Sequence, residues 1–161
     1  MCLTTKQDMP SMIDKPVRTY KLVLARNCDG EYRLYSYYYG YVYKIGEPCV
    51  LDSEEERLFR AGGERRIQVG ETDVEHGFHS YAERSFAEKI LKYYSDTDFC
   101  VALLECEIPA GSYVWKGVDG LKTRGESWEE AMCYCSDTLI PIRWKLFSDG
   151  AMWSEDNWRT H

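Results

Sequence analysis

The sequence predicts an α+β fold: a mixed or antiparallel sheet of about six strands packed by one main helix over about 81–94. Three observations predict it. Phe86, Ala87, Ile90, Leu91 and Tyr94 recur at helical spacing. Tyr20, Leu22 and Leu24 alternate with Thr19, Lys21 and Val23 ahead of an Asp29-Gly30 pair, the pattern of a half-buried strand entering a hairpin. The run Phe99-Cys100-Val101-Ala102-Leu103-Leu104 is apolar on both strand faces, which demands cover on both sides.

In chain order, residues 1–16 read as an irregular lead-in, because Pro10 and Pro16 block regular structure. Val17–Leu24 is a strand, Asn27–Gly30 a turn and Glu31–Tyr35 the return strand. The next stretch carries Tyr37, Tyr38, Tyr39, Tyr41 and Tyr43; Gly40 argues against one unbroken strand. Residues 52–75 form a charged loop or insert with eight acids and four arginines. Ser53 could cap a short helix there through Phe59, with Glu56 completing the capping box. Ser80 is the expected N-cap of the main helix, with Glu83 three positions on. Phe99–Ile108 is the central strand, on which Glu105 and Glu107 read as a solvent face. After the Pro109–Gly111 turn come short strands at Ser112–Lys116, Ala131–Cys135 and Thr138–Trp144, with a glycine-bearing connection over 117–126. Residues 148–161 are a tail carrying Trp153 and Trp158, docked on the body. No repeat or linker divides the chain, so 1–161 reads as a single domain.

The chain has 161 residues, 44% of them hydrophobic and 29% charged, enough for one ordinary core. The formal net charge is −7. A chain this acidic has no excess of cations with which to grip a phosphate backbone or an anionic membrane surface. No apolar run approaches the ~20 residues of a spanning helix. Nucleic-acid and membrane partners are therefore not expected.

Seven cysteines and no signal-peptide pattern point to reduced thiols and a cytoplasmic protein. The His76/His79 and Cys133/Cys135 spacings do not match a zinc ribbon, so no metal is expected. If Met1 were removed, Cys2 would combine a thiol with a free α-amine, the arrangement of an N-terminal-cysteine hydrolase.

The densest group of chemistry-bearing residues is His76-Gly77-Phe78-His79-Ser80-Tyr81. Placed just before a helix, His79, Ser80 and Tyr81 could hold an anion or phosphate at the helix N-terminus, with His79 as acid, base or donor. Tyr134 lies beside Cys135-Ser136-Asp137. If its strand adjoins that of His79, Asp137 could orient the imidazole, and Cys135 or Ser136 would gain a base. Catalytic candidates are thus His79, Asp137 and Cys2. Ligand-binding candidates are His79, Ser80, Tyr81 and Tyr134, joined by Tyr37 and Tyr39 from the tyrosine-rich face.

Four stretches together resemble a family of small proteins of phages and gut-type bacteria that begin "MCL", a family without an assigned activity. They are Met1–Thr5, Gly77–Tyr81, Glu107–Ser112 leading to Trp115-Lys116-Gly117, and Cys135–Asp137. The charged 52–75 segment and the tryptophan-bearing tail are departures from that pattern. The leading reading beside that resemblance is a non-enzymatic, small acidic phage or mobile-element accessory protein, in the host cytoplasm, that binds a host protein or a small ligand through the tyrosine-rich segment and the His79 region, with no cofactor expected. The Gly77–Tyr81 stretch is also similar to the NAD-binding half of ADP-ribosyltransferase-type folds. That likeness implies a nucleotide-binding enzyme or a degenerate form of one, with NAD or a related nucleotide as cofactor. Arg18 and His79 would fill the first two places of the family pattern, and Asp137 would stand where the late glutamate is usual.

Overall fold

A computed structural model of the protein describes residues 3–37, 40–63, 65–66, 70–94, 100–121, 129–146 and 157–161. Along the chain the elements are β1 (Leu3–Thr5), β2 (Ser11–Met12), β3 (Val17–Cys28), β4 (Glu31–Tyr35), β5 (Val42–Tyr43), β6 (Cys49–Val50), α1 (Ser53–Ala61), β7 (Arg65–Arg66), β8 (Glu71–Val74), β9 (Phe78–Tyr81), α2 (Arg84–Tyr94), β10 (Val101–Ile108), β11 (Tyr113–Leu121), β12 (Glu129–Ser136) and β13 (Thr138–Leu146). Every pairing is antiparallel. The main path across the sheet runs β6-β13-β10-β3-β9-β12-β11-β1-β8-β7, with β2 on β11 and β4–β5 on β3.

The α+β expectation of about six strands and one main helix is therefore corrected. Thirteen strands and two helices stand among the described residues, and the protein is mostly β. Two causes account for the difference. Segments read as irregular carry strands of two to four residues: β1 and β2 in the lead-in, and β7 and β8 in the charged stretch. These are too short for a periodic pattern; β1, β2 and β8 are held by distant partners, and β7 pairs with β8. The second cause is the stretch from Phe78 to Tyr81. It is a strand buried along its whole length, not the approach to a helix. Helix α2 accordingly begins at Arg84 rather than near 81, and Ser80 pairs in the sheet opposite Tyr134.

Local chemistry explains the elements that were anticipated. Strand β3 extends to Cys28 and turns through Asp29 and Gly30, both at positive φ (56° and 93°), the geometry that favours Asp-Gly in a two-residue hairpin. Helix α1 is capped by Asp52 rather than Ser53. The Asp52 carboxylate accepts from the Glu54 and Glu55 amides at 2.9 and 2.8 Å, and the Glu55 carboxylate returns to the Asp52 amide at 3.1 Å. Changing Asp52 to alanine should lower stability by about 1 kcal/mol in urea unfolding, whereas Ser53→Ala should leave it within experimental error.

Alternation along β3 and β10 divides the interior into two layers. On one face Leu22, Leu103, Trp115 and Cys135 pack beneath Phe86, Ile90 and Leu91 of α2 and Phe59 of α1. On the other, Val23, Leu104, Cys106 and Phe78 are covered by Tyr43, Cys49, Leu34 and Ile13. β1 lies against β11 so closely that a Cβ at Gly117 would stand 2.2 Å from the Thr4 carbonyl oxygen. No described helix is long and apolar enough to cross a membrane.

Candidate binding site

Strand β9 is held between β3, where Tyr20 opposes Tyr81, and β12, where Cys135 opposes His79. The two strands carrying His79 and Cys135 are thus neighbours, and the side chains meet: His79 Nε2 is 3.4 Å from Cys135 Sγ and 3.2 Å from the Glu75 carbonyl oxygen. The carbonyl assigns the hydrogen to Nε2, which donates to it, leaving Nδ1 as a buried acceptor without a hydrogen-bond partner. The Cys135 thiol donates to the His76 carbonyl at 2.9 Å. Burial, reinforced by the nearby Lys21 charge, pushes the His79 pKa down to about 3. Burial also pushes the Cys135 thiol well up.

A reactive cysteine needs a lowered pKa and an imidazole able to accept its proton. Here the ring nitrogen nearest the sulfur is the protonated one and donates to the Glu75 carbonyl, the thiol is spoken for by the His76 carbonyl, and His79 is 7% exposed. The pair packs the interior. Lys21 belongs to the same region. Its amine donates to the His79 carbonyl at 2.6 Å, and burial lowers its pKa.

The other expected site residues fall in several places. Ser80 is buried with its hydroxyl unpartnered. Tyr81 is buried, and its hydroxyl donates to Asp119 at 3.3 Å. Tyr134 is half-buried against the second layer and Tyr37 against the first. Asp137 sits between β12 and β13 and accepts from the Tyr113 amide at 3.1 Å; burial raises its pKa. Arg18 is paired with Glu105. The three residues singled out by the transferase likeness, Arg18, His79 and Asp137, are thus engaged with three separate partners. Tyr39 and Cys2 lie outside the described residues. The six described cysteines are free thiols, and no group of three or more potential metal ligands occurs among the described residues.

The tyrosine-rich segment largely covers the second layer. Tyr43 is 4% exposed, Tyr41 leans on Tyr43 and Phe78 with ring centroids at 5.3 and 5.6 Å, and Tyr32 stacks at 5.4 Å on Trp144. Burial pushes the Tyr41 phenol up to about 12.

A charged and aromatic cluster lies elsewhere, where β3, β10, β13 and α2 meet. Glu105 does not face solvent as alternation suggested. It is 5% exposed and takes Arg18 Nη1 at 2.6 Å and Arg143 Nε at 2.7 Å. Beside it, Glu88 of α2 pairs with Arg84 at 2.8 Å and lies 3.6 Å from the buried Lys145 ammonium. The indole of Trp158 rests among these cations. Its centroid is 4.4 Å from Arg143, 4.6 Å from Lys145 and 5.6 Å from Arg84. Such a seat favours an electron-rich ring, because the cations meet the negative face of the π-system.

The backbone beside this seat is the outer edge of β13. Trp144 N donates to Arg159 O at 2.9 Å, and Arg159 N donates to Trp144 O at 2.8 Å. Strand alternation then sends Trp158 to the cationic seat on one face and Arg159 to the other. There the Arg159 guanidinium lies 4.9 Å from the Trp144 ring and 5.1 Å from Tyr32. The Trp144 indole N–H donates to the His161 carbonyl at 3.2 Å.

The expected docking of the tail is seen for Trp158, while Trp153 lies outside the described residues, and this cluster was not anticipated. The available signal was Glu105 itself, an acid inside a strand apolar on both faces, which requires a cationic partner. The chain matches no protein-family model, no curated protein and no solved structure.

Proposed function

We propose that the protein acts by binding, and that it takes an extended segment of a partner protein along the outer edge of β13 beyond Pro141, where β6 and the Gly46 amide no longer cover it. The observation that carries this reading is the Trp144–Arg159 pair with Trp158 seated among three cations. It supplies both halves of a strand-addition site: main-chain hydrogen bonds for affinity and side-chain pockets on alternate residues for specificity. The recognised pattern is an aromatic residue followed by a basic one. An aromatic ring suits the seat better than a free anion does. Arg18, Arg84, Arg143 and Lys145 already face Glu105 or Glu88, and an anion would have to break those pairs, whereas a ring stacks on them intact.

The test is a fluorescently labelled heptapeptide with the sequence of residues 155–161, titrated into the full-length chain and its full-length Trp158→Ala variant. NMR signals of the Trp144 amide and indole report the site. Saturable shifts of both signals are expected in the variant, weakened about tenfold or more when the peptide's tryptophan is replaced by alanine. Unmoved Trp144 signals at millimolar peptide would reject the reading.

A further inference from the structure

This inference rests on the docking reading above and concerns its regulation: we infer that the chain's own residues Trp158–His161 hold the β13 site closed, so that a partner binds by displacing them. These few residues occupy each part of the site at once. They fill the backbone pairing of Trp144, the cationic ring seat, the stack on Tyr32 and Trp144, and the acceptor of the Trp144 indole. Yet the hold is light. Arg159, Thr160 and His161 are exposed, and among the described residues one residue pair makes the backbone connection. Segments with few buried contacts and exposed hydrogen bonds open first.

The occupant also fits imperfectly. Trp158 Nε1 is buried and has no hydrogen-bond partner, so its donor is desolvated without return. A partner ring without a donor, such as a phenyl group, would avoid that cost. Competition between tail and partner follows simple arithmetic. The tail is covalently attached and acts at an effective concentration in the millimolar range, and the partner's apparent Kd is its intrinsic Kd divided by the open fraction. A site open about one-tenth of the time therefore appears about tenfold weaker than one left open.

The experiment compares three full-length proteins: wild type, Trp158→Ala and Trp158→Phe. Each is titrated with the labelled heptapeptide, and hydrogen exchange of the Trp144 amide is measured without peptide. The expected result is binding about tenfold or more tighter to Trp158→Ala than to wild type, with faster Trp144 exchange in that variant, and for Trp158→Phe binding no tighter and exchange no faster than in wild type. Equal affinity in all three proteins, with shifts at Trp144, would overturn the latch and leave the docking reading standing. Absence of any Trp144 response in all three at millimolar peptide would overturn the docking reading and the latch with it. Should Trp158→Ala fail to fold, a Trp144 amide that exchanges in wild type as slowly as the amides of β3 and β10 would overturn the latch by itself.

Discussion

Replacing Trp115 with alanine is expected to destabilise the protein by about 3–5 kcal/mol, the cost of emptying a large, closed aromatic site. Trp115 is 1% exposed on β11 and belongs to the layer beneath α1 and α2. Its indole N–H donates to the Phe59 carbonyl at 2.9 Å, close to where α1 ends. Its six-membered ring lies 3.4 Å from where a Cβ would stand on Gly62, the residue that terminates α1. The side chain thus fills the space between sheet and helix and also satisfies an end-of-helix carbonyl. Against a total stability of about 5–15 kcal/mol the loss is large. For a chain of this length it corresponds to a fall in Tm of roughly 6–20 °C. Trp115→Phe keeps a ring but removes the donor, and should recover more than half of the loss. An unfolding free energy of Trp115→Ala within about 1 kcal/mol of wild type would show that the interior collapses around the gap.

The second large effect is on pH dependence. His79 has a folded pKa of about 3 against the ordinary value of 6.5, so the unfolded chain binds the extra proton first. The stabilisation from the neutral buried ring is fully present above about pH 6.5 and is lost as pH falls toward 3. The linked loss is about 2 kcal/mol at pH 5 and about 3 kcal/mol at pH 4. Urea unfolding at pH 7.5 and 5.0 should therefore show a steeper fall in wild type than in His79→Gln, which cannot charge. NMR titration of the ring gives a measurement that does not need the variant. The His79 resonances should stay fixed from pH 8 to pH 5, and a midpoint near 6.5 would mean that water reaches the imidazole. Both results bear on chemistry as well as stability, because a histidine that stays neutral throughout that range is no proton shuttle for Cys135.

What could be read from the sequence follows from how far each signal travels along the chain. The face of α2 was legible because Phe86, Ala87, Ile90 and Leu91 lie within two turns of one another. The hairpin at Asp29-Gly30 was legible because its turn chemistry is confined to two residues. β1, β5, β6 and β7 were not, since two or three residues contain no period, and the partners of β1 and β6 also lie far away in sequence. β9 was misread for another reason. Phe-His-Ser-Tyr looks like a polar approach to a helix, yet it is buried throughout, with imidazole and hydroxyl enclosed.

The candidate sites divide in the same way. That His79 could meet Cys135 was conditional on two strands being neighbours, and they are. That Asp137 would join them did not follow, because one residue beyond Ser136 the chain has left β12, and its carboxylate accepts from Tyr113 instead. The cluster around Glu105 depends on register alone. Arg18 reaches it from β3 and Arg143 opposes it on β13, so no window of sequence holds the three together.

The position of β1 between β8 and β11 has a consequence for biosynthesis. Leu3, Thr4 and Thr5 bond to Val74, Asp73 and Thr72, and Thr4 also faces Val118. A ribosome adding about 5–20 residues per second makes residues 3–5 many seconds before their second neighbour exists. This part of the sheet therefore cannot be completed in the order in which it is synthesised. Residues 3–5 can pair only on their β8 side, with the other edge open, until the β11 residues have been made.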